Sequence, residues 1–413
     1  MKDFFTLTSP SDVLKLYQHF TTFTEENVPL SKGLGRILSK NISAPENLPP
    51  FARSTMDGFA VRAKNTFGCS ESEPALLNIT GEIAMGDSGQ QHMLASGDTM
   101  QIWTGGELPR KADSVCMIEY SRKLDDQTVE LYRPVAPGEN VIQAGDDFAQ
   151  GSPVLSQGKQ LRPQDLGILA GLGITNIPVY RKPVVAILST GDELIPPDAE
   201  PSPGKIRDIN STTLAALVEE AGATAINLGI QGDDFDGIRD CCADALEQVD
   251  LVLLSGGSSV GRRDFTLDVF KSLPRAEILV HGISVRPGKP TIVARMDNKA
   301  LIGLPGHVGS AMVIFYLFVR PLLHHFTGQG INHGLRAITA LTGEQIPSAI
   351  GREEYVRVRI EPAKEPGHPP VIFPVYGKSG LLKPLVLADG LLPIGRDVEG
   401  LDKGIETCVL LFP

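Results

Sequence analysis

The sequence predicts a multidomain chain of the α/β plus β class. It comprises a central three-layer α/β/α domain with a mostly parallel sheet, a mixed N-terminal region carrying an inserted β-rich module, and a small C-terminal β-domain. Three observations predict it. At 413 residues the chain exceeds one ordinary core, which favours roughly two to four domains. From Lys182 to about Thr327, short apolar runs alternate with amphipathic helical segments, the pattern of a parallel sheet covered on both faces. On either side, short β-like runs are separated by Gly- and Pro-rich turns.

The elements follow in order. Leu14, Tyr17 and Phe20 have helical spacing, and the N-terminus lacks both a continuous apolar run and a small-residue cleavage site. Leu30 to Pro49 and Ala144 to Val179 read as two halves of one unit, with LRPQDLGILAGLG a short helix ended by Gly171 and Gly173. Between them MQIWTGG, SVCMIEY and TVELYRP are strand-like, which places an inserted β-rich module at about 53–143 within an N-terminal region 1–180. The central domain, 181–328, opens with the strand VVAILST. The helix TLAALVEEAG follows, opened by the capping candidates Asn210 and Ser211 and closed by Gly222. TAINLGI and DLVLLS are strands and GIRDCCADALEQ and FTLDVFKSL helices. AEILVHGI, TIVARM and ALIGL precede the helix SAMVIFYLFVRPLL. EYVRVRI, VIFPVY and TCVLLFP make 335–413 a small β-barrel-like domain.

Composition bounds the function. A net charge of −11 disfavours a nucleic-acid clamp, yet an anionic small substrate needs only a local positive field. The five cysteines include no C-x-x-C pair, so a disulfide framework or zinc site is not expected and a reducing compartment fits. The most apolar stretch, Met312 to Val319, is far short of the ~20 residues of a bilayer span. A cytoplasmic protein without membrane or nucleic-acid partners is expected.

Ligands of such sheets sit at the carboxyl ends of the strands, and the unusual loops all follow strands. STGDEL (Ser189 to Leu194, with Thr190), QGDD (Gln231 to Asp234), SGGSSVGRRD and PGHVGS (Pro305 to Ser310) are four such loops. Gly256, Gly257, Ser258, Ser259 and Gly261, ahead of a helix, have the makings of an anion cradle. Glycines turn several N–H groups one way, and the helix dipole adds to them. In RPGKP, Arg286 offers a fork of donors and Lys289 a point charge. Glu193, Asp233, Asp234 and Asp264 follow strands and could together hold Mg²⁺, whose shell takes one or two carboxylates and several waters. Each, taken singly, reads first as a helix cap or a solvated charge, Asp264 above all as a cap. Asp57-Gly58 in PPFARSTMDGFAVRA reads as a turn, and His307 as a hydrogen-bonding loop residue.

RSTMDGFAVRA, TGGELP, STGDEL, GKIRDINSTTLAAL, SGGSSVG, RPGKP and LPGHVGSAMVIF occur in an order and spacing that resemble the MoeA family, the molybdopterin molybdotransferases that include the gephyrin E domain. The resemblance covers essentially the whole chain. It implies a transferase of molybdenum-cofactor biosynthesis that inserts molybdate into adenylylated molybdopterin with Mg²⁺-dependent release of AMP. The molybdopterin would lie on the central domain, its phosphate near SGGSSVG. It further implies an elongated homodimer with a cleft shared between subunits, and contact with the molybdopterin adenylyltransferase and with cofactor-accepting enzymes. Carried residue by residue, it assigns Asp57, Glu193, Asp233 and Asp264 to catalysis and the metal. Thr104, Asp147, Lys289 and Ser379 are assigned to substrate. The chain departs from the family pattern at Arg286, where Lys is usual, at His307, Val308 and Gly309, and at Arg262-Arg263. These departures touch the oxyanion region and leave a tungstate-preferring homologue or a non-catalytic molybdopterin-binding or scaffolding paralogue as alternatives; a nucleotide or pyrophosphate hydrolase using the same sheet is a separate rival.

Overall fold

The computed structural model describes residues 6–256, 265–363 and 365–413. In the central domain six strands form one sheet: β1 (Val184–Thr190), β2 (Thr224–Gln231), β3 (Leu251–Ser255), β4 (Glu277–His281), β5 (Ile292–Met296) and β6 (Lys299–Leu304), in the order β2-β1-β3-β6-β5-β4. The pairs β2–β1, β1–β3 and β3–β6 are parallel, whereas β5 and β4 return antiparallel. The register pairs Thr190 with Gln231, Ser189 with Ser255 and Ser255 with Leu304, so four loops leave the sheet at the same level.

Side chains alternate across a strand, and the two faces fill separate cores. Val185, Ile187, Leu251 and Leu253 pack against α1 (Asn210–Glu220) and a long apolar helix. Ala186, Leu188, Val252 and Leu254 pack against α2 (Phe235–Gln248) and α3 (Phe265–Ser272). On α1 the buried Leu214, Leu217 and Val218 sit at helical spacing. Its start differs from the expected one. Asn210 is the first helical residue, and the buried Asp208 accepts the Ser211 N–H at 3.1 Å. Asn210 is thereby released for another contact.

The long helix runs Val308–Phe326, 19 residues, and is 83% buried over its most apolar window. It is longer than the Met312–Val319 run because the residues on both sides of that run also enter the core. It consists of α4 (Val308–Ile314), a π-helical segment Phe315–Val319, and α5 (Arg320–Phe326). The beginning of the chain packs on this domain. A short helix Pro10–Leu16 places Val13, Tyr17 and Phe20 in the central core, and Phe23 stacks on Phe326 with centroids 4.4 Å apart.

Two antiparallel pairings, Glu25–Pro29 with Asn176–Tyr180 and Ile42–Ser43 with Pro153–Leu155, join the halves of the interrupted unit around Leu38, Leu161, Leu169 and Ile177. Between them a separate six-stranded sheet contains Gly58–Val61 and Asp98–Ile102, with its own cores on both faces. At the C-terminus, Glu353–Glu361, Val371–Pro374, Ala337–Thr342, Glu406–Leu411 and Gly390–Ile394 pair in a closed cycle, a five-stranded barrel around Val358, Ile372, Leu392 and Val409. Closure leaves these strands no free edge to the barrel seam.

Candidate functional site at the strand ends

Four chain segments converge where β1, β2, β3 and β6 end. Gly256 leaves β3 with φ +115°, and a Cβ there would lie 2.3 Å from the Thr190 carbonyl oxygen and 2.7 Å from its Oγ1. Only glycine permits both that dihedral and that approach. Asn210 Nδ2 donates to Ser255 Oγ at 2.5 Å and to the Gly306 carbonyl at 2.8 Å, which ties the end of β3 to the loop after β6. Thr190 and Ser189 are buried with hydroxyls that have no partner among the described residues. Such groups are expected to meet a ligand or water.

The acidic loops lie beside this point. Glu193 is exposed, its carboxylate folded over Gly191, where a Cβ would lie 2.7 Å from Oε2. The Asp233 N–H donates to Asp192 Oδ1 at 3.0 Å, linking the loops after β1 and β2. Asp234 caps α2, accepting the Gly237 N–H at 2.9 Å. Gly257, Ser258, Ser259, Gly261 and Asp264 lie outside the described residues. Among the described residues no group of three or more His, Cys, Asp or Glu is gathered for a metal.

The C-terminal barrel supplies the far wall. Ser379 receives the Gly309 N–H on its carbonyl at 3.0 Å, at the start of the helix that follows Pro305. Arg357, which the sequence reading missed, sits against Gly309: a Cβ on that glycine would lie 3.2 Å from Arg357 Nη1. Its Nη2 donates to the Gly377 carbonyl at 2.7 Å, no carboxylate pairs with it among the described residues, and burial lowers its pKa. A cation that burial destabilises and no acid compensates favours an anionic ligand. Only the alternation of EYVRVRI could have flagged it. RPGKP is held by the same barrel, because Val285–Arg286 pairs parallel with Glu353 and Glu354. Arg286 Nε lies 3.4 Å from Glu354 Oε1, so the expected oxyanion fork is engaged by a carboxylate. Lys289 accepts the Ile283 N–H on its carbonyl at 3.0 Å. Gly288 (φ +114°) lies where a Cβ would strike Ile314 at 2.4 Å.

Asp57 and Thr104 form a second focus in the N-terminal sheet module. The Ser54 N–H donates to the Gly106 carbonyl at 3.0 Å and the Ser54 carbonyl accepts the Gly105 N–H at 2.8 Å, laying RSTMDG beside TGGELP. The Thr104 N–H and hydroxyl then donate to Asp57 Oδ1 at 2.8 and 2.7 Å, and these bonds hold the carboxyl below its ordinary pKa. Gly58 is required because a Cβ would lie 2.0 Å from the Cys116 carbonyl oxygen. Asp147 is exposed, its N–H on the Leu48 carbonyl at 3.0 Å. Thr190, Gly256, Pro305 and Ser379 are thus drawn together by the central sheet and barrel, whereas Asp57, Thr104 and Asp147 belong to the N-terminal region.

Comparison with known proteins agrees with this layout. Three family descriptions match: the MoeA N-terminal region (domain I and II) over residues 8–173, a probable molybdopterin binding domain over 186–325, and the MoeA C-terminal region (domain IV) over 339–412. The molybdopterin molybdenumtransferase of Bacillus subtilis is 34% identical over 320 residues, 77% of this chain and 74% of its own. That of Haemophilus influenzae is 33% identical over 338 residues, 82% and 81% of the two chains. The crystal structure of a molybdopterin biosynthesis MoeA protein from Pyrococcus horikosii superposes with a TM-score of 0.82 at 34% identity, covering 99% of this chain and all of that one. The chain therefore belongs to the MoeA family and is a transferase of molybdenum-cofactor biosynthesis.

Proposed function

We propose that the protein inserts molybdate into adenylylated molybdopterin and releases AMP, with Mg²⁺ as cofactor. The observation that carries this reading is the meeting of Thr190, Gly256 and the β6 loop with Arg357 and Ser379 of the barrel. Together they give one wall with buried hydroxyls and another with a cation that no carboxylate among the described residues compensates. The substrates are anions, and both walls present donors.

In this reading Thr190 and the loop after β3 bind the pterin phosphate. Arg357, Lys289 and the start of α4 hold molybdate, and Ser379 closes on it. Glu193 and Asp233 would hold Mg²⁺. The all-oxygen donor set of these loops, with Glu193 exposed and two carboxylates at most from this region, fits a hard cation that keeps several waters. When bound, the ion supplies Lewis-acid stabilisation of charge on the breaking pyrophosphate. Asp57, kept ionised by Thr104, orients the adenylate from the N-terminal module of a second copy, so the working form is a homodimer. Asp147 contributes to substrate binding, and Asp264 joins the metal ligands. The proposal includes a cytoplasmic setting and transient contact with the adenylyltransferase and acceptor enzymes. It keeps the divisions near 180 and 330, with residues 6–23 packed on the central body.

The test is AMP release from adenylylated molybdopterin by purified protein with Mg²⁺, with molybdate and tungstate in parallel. Asp57→Ala should fold as the parent does and release no AMP. Normal turnover by that variant overturns the role of Asp57, and AMP release indifferent to either oxyanion overturns the reaction.

A further inference from the structure

A polar cavity of about 300 Å³ lies at the opposite pole of the central domain from the strand ends. Helices here run antiparallel to the strands, so the end of α1 and the end of the long helix lie far from Gly306. At 1.5 Å per residue, Arg320 is roughly 18 Å along the helix from Val308. The cavity is walled by Gly158 and Gln160 of the N-terminal unit, Glu220 of α1, Arg320 and His324 of α5, and Asn332 of the segment leading to the barrel. Three parts of the chain therefore meet around it.

Arg320 is the unusual group. Its side chain is 13% exposed, and its Nε and Nη1 are buried without a hydrogen-bond partner among the described residues. Glu220 Oε1 pairs with Nη1 only at 3.6 Å, beyond hydrogen-bond reach, and the Tyr316 ring centroid lies 5.9 Å from the guanidinium. Buried guanidinium donors are rarely left unspent. His324 is 7% exposed, its Nδ1 3.3 Å from Asn332 Oδ1, and burial, then Arg320, keeps its pKa low.

The second observation is the backbone that presents these groups. The π-helical segment Phe315–Val319 ends at Arg320. π segments are uncommon and concentrate at functional sites. This one resets the helical phase so that Arg320 and His324, one turn apart, face the cavity while Leu322, Leu323 and Phe326 stay in the core. The volume matches the lower end of small-molecule sites.

We propose that this cavity binds a small oxyanion, a carboxylate or phosphate ligand distinct from the substrates, which pairs with the Arg320 guanidinium and braces the N-terminal unit against the central domain. The site is separate from the strand-end cleft and stands whether or not the reaction assigned there is right.

The experiment is equilibrium binding of inorganic phosphate and of citrate to the full chain, read by calorimetry and by the shift in thermal unfolding. One saturable site is expected for at least one of the two anions, and which one binds distinguishes phosphate from carboxylate recognition. Arg320→Gln should weaken it by about tenfold or more. Gln160→Trp, which obstructs the rim from an exposed position, should do the same without touching the buried cation, and so covers the case in which Arg320→Gln fails to fold. Arg357→Ala, at the strand-end cleft, should leave this binding intact. No saturation by either anion up to about 10 mM overturns the proposal. So does binding that survives Gln160→Trp and disappears in Arg357→Ala.

Discussion

At the residue scale, side chains and glycines set the site by what they exclude. Gly256→Ala combines a left-handed φ with a 2.3 Å approach to the Thr190 carbonyl. A cost of about 1–3 kcal/mol is expected from the dihedral alone, visible in urea unfolding, together with lost AMP release. Thr104 gives a sharper test. Its two bonds depress the Asp57 pKa, so Asp57 stays charged at lower pH than a free aspartate. In Thr104→Val the hydroxyl bond is gone, the Asp57 midpoint followed by carboxyl NMR should move up, and the acidic limb of the rate profile should move up with it. A downward or absent shift contradicts the assigned contact. Asn210 was legible only as a helix cap, because its partners Ser255 and Gly306 lie 45 and 96 residues away in sequence. Asn210→Ala strands a buried hydroxyl and should cost about 1–3 kcal/mol, with weaker substrate binding.

At the element scale, local chemistry decides what the sequence made readable. The strand–helix alternation of the central domain was legible because each strand is a continuous apolar run and several helices end at glycine, as at Gly222. The start of α1 was not, since Asp208, Asn210 and Ser211 are all acceptable caps by type and only their packing selects Asp208. The π segment was equally invisible: FYLFV is as compatible with an α-helix. Helix Pro163–Gly171 offers a measurable element. Asp165 accepts the Arg162 N–H and Nε at 2.9 and 3.0 Å and lies 3.1 Å from Lys159 Nζ. The Arg162 guanidinium first, aided by its backbone N–H and Lys159, holds Asp165 down to about 2. The folded value is below the unfolded one, so this contribution is complete above the ordinary aspartate pKa and is lost as pH falls from there through about 2. Asp165→Asn should therefore lower the melting temperature at neutral pH and flatten its decline in acid.

At the scale of the whole molecule, the fold class was legible but the joints were not. The barrel could be anticipated from its strands; that Arg286 would be met by Glu354 across the junction, or that Arg357 would face Gly309, could not. The proposed sharing of the cleft between two copies makes a quantitative prediction. Asp57→Ala and Arg357→Ala should each be inactive alone. Mixed and allowed to exchange subunits, half the dimers become heterodimers with one intact site, and activity should return to about a quarter of the parent. No recovery, despite subunit exchange shown by differential tagging, excludes a cleft built from two copies.

The stacking of Phe23 on Phe326 reaches beyond the site. Because residues near the beginning finish the hydrophobic interior that the middle of the chain starts, a ribosome cannot complete that interior until the middle has been made. The leading helix must wait, exposed, for roughly three hundred residues of synthesis. Excision of the central body from Lys182 onward would leave Phe326 uncovered and prone to self-association, however well the sheet itself is formed.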